Sequence, residues 1–312
     1  MIGRLALAVW LAFAAPAMAQ DAKGGLLLYQ LDVHAYVADQ IAAVVDAVDD
    51  LLGAEPAETA GMFPDPVRLR IDAARFDAAL RQAEDAAMAG IVALEAEGPD
   101  TIVLRVDESA LAARLDQLRA SVIDILGRRL DRRDLTHTIG ATIEGWVAVD
   151  IRTDADLDTL AAELGATGEL GFHVVRRTGL AETPPAPATP DGIVLMPVDD
   201  PGIYYEIDPR PAVAGSHVVD AAAAFDFAAM PVVTFRLDEA GTLALAAVTR
   251  KNVGRPFAIV LDGALISAPQ INEAIVAGTG VIQGNFSVEE TERLAALISA
   301  GALPIPVLRV PN

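Results

Sequence analysis

The 312-residue chain contains no cysteine. Disulfides, thiol nucleophiles and cysteine-ligated zinc are therefore excluded. Aromatic residues are scarce, at 5%, while hydrophobic residues overall reach 53%, so Ala, Val, Leu and Ile must fill the core. Basic residues are also in deficit: 23 Lys and Arg face 44 Asp and Glu, a net charge of −21. Such a surface repels phosphate backbones and anionic headgroups, which argues against a nucleic-acid partner. The acidic residues are scattered rather than blocked, the pattern of a solvated surface.

Catalytic and ligand-binding signatures are missing too. There is no G-x-x-x-x-G-K-[ST] and no G-x-G-x-x-G after a strand. His34, His137, His173 and His217 show no metal-ligand spacing, and His173 reads as a packed residue of an alternating strand. Ser216, His217 and Asp220 are of triad types, but no nucleophile elbow surrounds them. Asp199-Asp200 before Pro201-Gly202 reads as a turn, without the further oxygen ligands that calcium needs. No enzyme activity, cofactor or metal is expected.

What the sequence does contain begins at its start. Arg4, the apolar run Leu5 to Ala15 and the Ala17-Met18-Ala19 site before Gln20 are the three parts of a secretory signal peptide, residues 1–19. The apolar run is shorter than the about 20 residues a membrane span requires. An uncleaved N-terminal tether is the alternative. No later segment is a long uncharged apolar run, so the cleaved chain is expected to be exported without a membrane anchor.

Periodicity predicts a strand at 26–34, helices at 36–52 and 73–88, and strands at 67–71, 90–96 and 101–107. Leu111, Leu115, Leu118, Val122, Ile125 and Leu126 mark a long helix over 109–131. Strands at 137–143 and 145–151, a helix opened by Thr153-Asp154-Ala155-Asp156, and a strand at 168–177 follow. With 26–34 or 101–107 as first strand, this order predicts a split βαβ, ferredoxin-like unit. The proline run within 181–192 predicts a linker. Beyond it come a strand around Val233 to Leu237, a helix at 239–252, and two strands joined by Asp262-Gly263, a strong hairpin signal. A short helix from Gln270 to Val276, a strand at 279–286, and a helix opened by the S-x-x-E box Ser287 to Glu290 complete an α+β fold.

Several of these segments carry a family resemblance. Residues 258–269 (AIVLDGALISAP, ending at Pro269) resemble the signature of the P1 head of the protein translocase subunit SecD. Asn252 and Gly254 sit in a match to T-x-x-N-x-G, and Gly280, Gly284 and Phe286 in a match to G-x-I-x-G-x-F. Gly301-Ala302-Leu303-Pro304 is similar to the closing G-A-L-P, and Gly24-Gly25 to the opening D-x-[KR]-G-G. The base departs from the pattern: E-L-P-G is replaced at 150–153, and R-V-[ND]-x-L-G is degraded at Arg129 to Asp134.

The resemblance implies a ferredoxin-like base at 20–180, a head at 193–304 and a tail at 305–312, without SecD's transmembrane helices. It implies a non-enzymatic periplasmic module that assists protein export. Its partners would be unfolded or translocating polypeptide or Sec components; a scaffold that docks on a membrane complex without touching clients is the alternative. Gly24, Gly25, Asn252, Gly254, Asp262, Gly263, Pro269, Gly280, Gly284, Phe286, Gly301, Ala302, Leu303 and Pro304 are the family-motif positions, expected to shape the fold or a partner contact. Asp262-Gly263 supplies the positive φ of a tight turn, and Gly301 a helix stop.

Overall fold

The computed structural model describes residues 24–53, 56–87, 90–180, 188–189, 192–195 and 202–311. The proposed signal segment and most of the proline run lie outside the described residues. Six α-helices are described: α1 (Val33–Leu52), α2 (Phe76–Ala86), α3 (Glu108–Asp131), α4 (Leu157–Gly165), α5 (Glu239–Lys251) and α6 (Val288–Ala300). The fold is α+β, as the alternating grammar of the sequence requires. No helix among the described residues is long and apolar enough to cross a membrane.

The first strand, Gly24–Leu31, buries Leu27, Tyr29 and Leu31 on one face, the period of two that a half-covered sheet demands. It pairs antiparallel with Val147–Arg152, which pairs in turn with Thr136–Ala141. The fourth strand of this sheet is Val307–Val310, added to the other edge of Gly24–Leu31. The resulting order is that of a split βαβ unit, with α3 and α4 as its helices. Two expectations change here. The proposed tail contains the strand Val307–Val310, which closes the first sheet. The strand Leu170–Leu180, expected to close it, leaves for another sheet. The alternation Leu170, Phe172, Val174 is correct but does not choose a partner; register with Phe257–Leu261 does.

Between Leu31 and α3 lies an excursion: α1, α2 and a four-stranded sheet in the order Glu58–Ala60, Val67–Arg70, Thr101–Val106, Val92–Ala96. The strand Thr101–Val106 thus belongs to the excursion, and Gly24–Leu31 is the first strand of the split unit. Asp32 caps α1, accepting from Ala35 N at 3.0 Å, which starts that helix earlier than apolar periodicity alone suggests. Asp156 caps α4 through Thr159 N at 2.9 Å, so the N-cap is Asp156 and not Thr153.

Leu170–Leu180 is the centre of a seven-stranded sheet. Phe257–Leu261 and Ala264–Ser267 lie on one side of it, Ile203–Ile207, Gly192–Leu195 and Ala188–Thr189 on the other, and the short Val213–Ala214 pairs with its start. A three-stranded sheet of Val218–Phe225, Pro231–Leu237 and Thr279–Ile282 faces it across a second core. There Phe172 meets Phe235 with ring centroids 5.1 Å apart. The strand Val218–Phe225 had no sequence signal, because its four consecutive alanines have low strand propensity. Pairing with Pro231–Leu237 along its whole length overrides that preference. Residues 270–276 form no helix; Gln270 and Ile271 are tied back to Gly254 and Arg255 instead. The last helix begins as its sequence predicts. Glu290 N donates to Ser287 Oγ at 3.1 Å, and Ser287 N to Glu290 Oε2 at 2.8 Å.

Candidate functional site: the junction between the sheets

The chain passes from the first sheet to the second at residues 166–169 and returns at 301–305. Both crossings meet one buried cation. Arg129, 2% exposed, lies on the apolar stripe of α3 with Leu118, Val122, Leu126 and Leu130. One guanidinium nitrogen donates to the carbonyls of Leu164 and Ala166, each at 2.5 Å. The other donates to Thr167 O at 3.2 Å and Gly301 O at 3.1 Å. Four N–H groups therefore hold the end of α4 and the exit from α6 together, and only Nε is left without a partner. A guanidinium is suited to this task because its fork of donors is planar and fixed. Burial pulls its pKa down from 12.5 to about 10, and Asp262 opposes that shift.

Asp262 approaches the same crossing from the second sheet. Its carboxylate accepts from Gly168 N at 3.0 Å and Glu169 N at 2.7 Å. Asp262 and Gly263 have φ of 49° and 77°, as the tight turn between Phe257–Leu261 and Ala264–Ser267 requires. The Asp-Gly pair therefore has a second task beyond turning the chain. Leu303 N donates to Thr167 O at 2.7 Å, stitching the two crossings directly. Leu303 and Ile305 then enter the first core, with exposures of 4% and 0%. Arg128 adds a bond to Ala300 O at 3.0 Å, and Glu163 pairs with Arg133 at 2.6 Å and Arg293 at 3.1 Å. Tyr29 lies nearby with its hydroxyl donating to Ala161 O; burial raises its pKa, opposed by Arg309 and Arg129.

The motif positions thus fall into three groups. Asp262, Gly263, Gly301, Ala302, Leu303 and Pro304 gather at the junction. Asn252, Gly254 and Pro269 form a second group at the end of α5: Asn252 Nδ2 donates to Val248 O, Gly254 N to Ile271 O, and Phe257 N to Pro269 O. Gly280, Gly284 and Phe286 belong to the third, around the three-stranded sheet. The Phe235 ring lies over Gly280, where a Cβ would come within 2.4 Å. Gly24 and Gly25 stand apart in the first sheet; Gly25 makes room for Leu157 of α4. Arg129 was not singled out by the sequence, where it fell in a degraded motif. The available signal was an arginine on an otherwise apolar helical stripe.

His217 does not meet Ser216 and Asp220 as a triad. Its Nδ1 lies 3.1 Å from both carboxylate oxygens of Asp238, the N-cap of α5. Among the described residues no cluster of three His, Cys, Asp or Glu is placed to hold a metal ion.

The three-stranded sheet ends at Thr279–Ile282, which among the described residues pairs only with Pro231–Leu237. Leu237 N bonds to Gly278 O, so the bonded pairs alternate from there, and the backbone groups of Thr279 and Val281 point away from the sheet.

Comparison with known proteins fits this architecture. Residues 193–305 match the model of the SecDF P1 head subdomain. Over 206 residues the chain is 35% identical to the protein translocase subunit SecD of Rhodobacter capsulatus, covering 66% of this chain and 37% of that protein. The SecD of Acetobacter pasteurianus is 28% identical over 303 residues, covering 92% of this chain and 57% of that protein. A crystal structure of SecDF in its super-membrane-facing form superposes with a TM-score of 0.51 and 25% identity, over 62% of this chain and 28% of that one. The chain therefore spans well under two thirds of the length of these proteins. With its head match at 193–305 and its shared sequence over two thirds of its own length, the chain is similar to the P1 region of the protein translocase subunit SecD.

Proposed function

We propose that this chain is a non-enzymatic, exported P1-type module that assists protein export by holding emerging or unfolded polypeptide on the periplasmic side of the membrane. The observation that carries the reading is the open edge Thr279–Ile282 within the segment that matches the SecDF P1 head. An extended chain adds to such an edge through its own backbone, so affinity depends little on client sequence. The acidic surface supports the same role, because it keeps the module soluble and off nucleic acid. The relatives are translocase subunits, which makes Sec components the natural neighbours of the bound client.

The test places a photoreactive residue at Thr279 or Val281, and a control at exposed Ser109 on α3, in the full chain. An export substrate arrested in the translocase is then irradiated. Adducts at 279 and 281 but not at 109 are expected. Adducts to a stable Sec component, with none to the arrested substrate, would replace client capture with a docking role.

A further inference from the structure

The seven-stranded sheet has two unlike faces. Phe172 and Leu170 face the second core, while His173 and Val175 face the other way, where Val175, Ile207, Ala258, Val260 and Leu265 form a small separate cluster. Beside that cluster lies a half-open cavity of about 460 Å³, bordered by the sheet and by the chain crossings at 167–169 and 302–303. Its wall is largely apolar, with Leu195, Ile207, Pro211, Val260 and Leu303, and His173 stands within it. Thr167, Glu169 and Ser216 are the remaining polar side chains of the wall, and Glu169 and Ser216 are exposed to solvent.

His173 is 8% exposed, and its Nδ1 lies 2.8 Å from the carbonyl oxygen of Asp208. A carbonyl only accepts, so Nδ1 carries a proton, and in the neutral imidazole Nε2 offers a lone pair. Among the described residues Nε2 has no partner. It lies over Gly171, where even a Cβ would come within 2.4 Å and where no side chain supplies a donor. Nor is Nε2 sealed off: the fully buried unpartnered side-chain atoms among the described residues are Arg129 Nε and Ser299 Oγ. A buried acceptor is thus left open toward an apolar chamber.

We infer that this cavity is a binding site for an apolar ring or short chain bearing a single hydrogen-bond donor, a phenol-like group, with the donor bonded to His173 Nε2. The apolar wall buries the body of the ligand, and the one acceptor selects its polar end. A matched ligand without the donor leaves Nε2 unpaired, which weakens binding about tenfold or more. The acidic surface disfavours anionic ligands, so the group binds neutral. Such a group reaches the cavity either as a free small molecule or as a tyrosine side chain of an extended peptide.

The test titrates the full chain, carrying ¹⁵N-histidine, with 4-ethylphenol and with 4-ethylanisole, which lacks the donor. The phenol is expected to move the His173 Nε2 resonance and to bind at least about tenfold more tightly than the ether. Ile193→Trp, at a partly exposed wall position, fills the chamber and removes both effects. Equal affinities, an unmoved Nε2 resonance, or undiminished binding to Ile193→Trp would each overturn the inference. The capped peptide Ala-Ala-Tyr-Ala-Ala, compared with its Phe counterpart, separates the sources. A Tyr-dependent shift of the same resonance assigns the site to polypeptide side chains, and a shift with the phenol alone assigns it to free small molecules. Neither arm needs a translocase, so its outcome is independent of client capture at Thr279–Ile282.

Discussion

Replacing Arg129 by methionine removes the cation that joins both chain crossings while keeping an unbranched apolar side chain on α3. Four carbonyls lose a donor, and only Thr167 O keeps another, from Leu303 N. An unmet buried acceptor costs about 1–3 kcal/mol, so three of them set a loss of about 3–9 kcal/mol. The upper part of that range is not reached, because Ala166 and Gly301 are half-buried and water can replace the donor there. The guanidinium's own desolvation is also relieved. Its pKa falls from 12.5 to about 10 on burial. At about 1.4 kcal/mol per tenfold this returns on the order of 3 kcal/mol. A net destabilisation of about 2–4 kcal/mol is expected, measured by urea denaturation of the full chain. Arg129→Lys keeps the charge but has a compact head with three donors, so it recovers only part of the loss. The local signature is faster hydrogen exchange at the Leu303 and Gly168 amides, ahead of the strands Val147–Arg152 and Pro231–Leu237. A cost below about 1 kcal/mol, or a uniform loss of protection across both sheets, would refute the clamp.

Three further outcomes follow from the same geometry. Asp262→Ala deprives Gly168 and Glu169 of their acceptor and places alanine at positive φ, so a loss of about 2–4 kcal/mol in urea denaturation is expected, with Asp262→Asn intermediate. Ser287→Ala breaks the capping box of α6 and costs about 1 kcal/mol, read as a lower urea midpoint with an unchanged m-value. Acid lowers stability in a definite direction. Hydrogen bonds from backbone N–H groups at helix starts hold Asp107, Asp238 and Glu290 below their ordinary range, and Thr159 does the same for Asp156, through its hydroxyl first. The unfolded chain therefore takes up protons first on acidification. The stabilisation is complete above about pH 5 and fades as the pH falls through the depressed folded-state values, so urea midpoints that stay level from neutral pH down to about pH 3 would contradict it.

Much of this molecule is written locally. The box Ser287 to Glu290 starts a helix wherever it lies, because its donors and acceptors are three residues apart. Asp262-Gly263 turns a hairpin because both residues accept positive φ, and the spacing of Leu118, Val122 and Leu126 gives α3 its buried stripe. Within the motifs around 252–304, Gly263, Gly284 and Gly301 are likewise legible, since they answer to a turn, a neighbouring ring and a helix end within a few residues.

Other features answer to partners distant in the chain, and only the tertiary structure decided them. Val307–Val310 is short and its residues are at most half-buried, so its own pattern carries no strong strand signal; pairing with Gly24–Leu31 makes it one. The same holds for the alanine-rich Val218–Phe225. Leu170–Leu180 has an alternating pattern that fits either sheet, and its register with Phe257–Leu261 selects the second. Arg129 and Asp262 are separated by more than a hundred residues, so neither sequence neighbourhood shows that they serve one junction. Composition and spacing determined what each segment can form, because capping, turning and amphipathic burial act over a few residues. Which segments meet was decided by the packing of whole sheets, where a buried guanidinium is tolerated only because four carbonyls from two separate chain crossings converge on it.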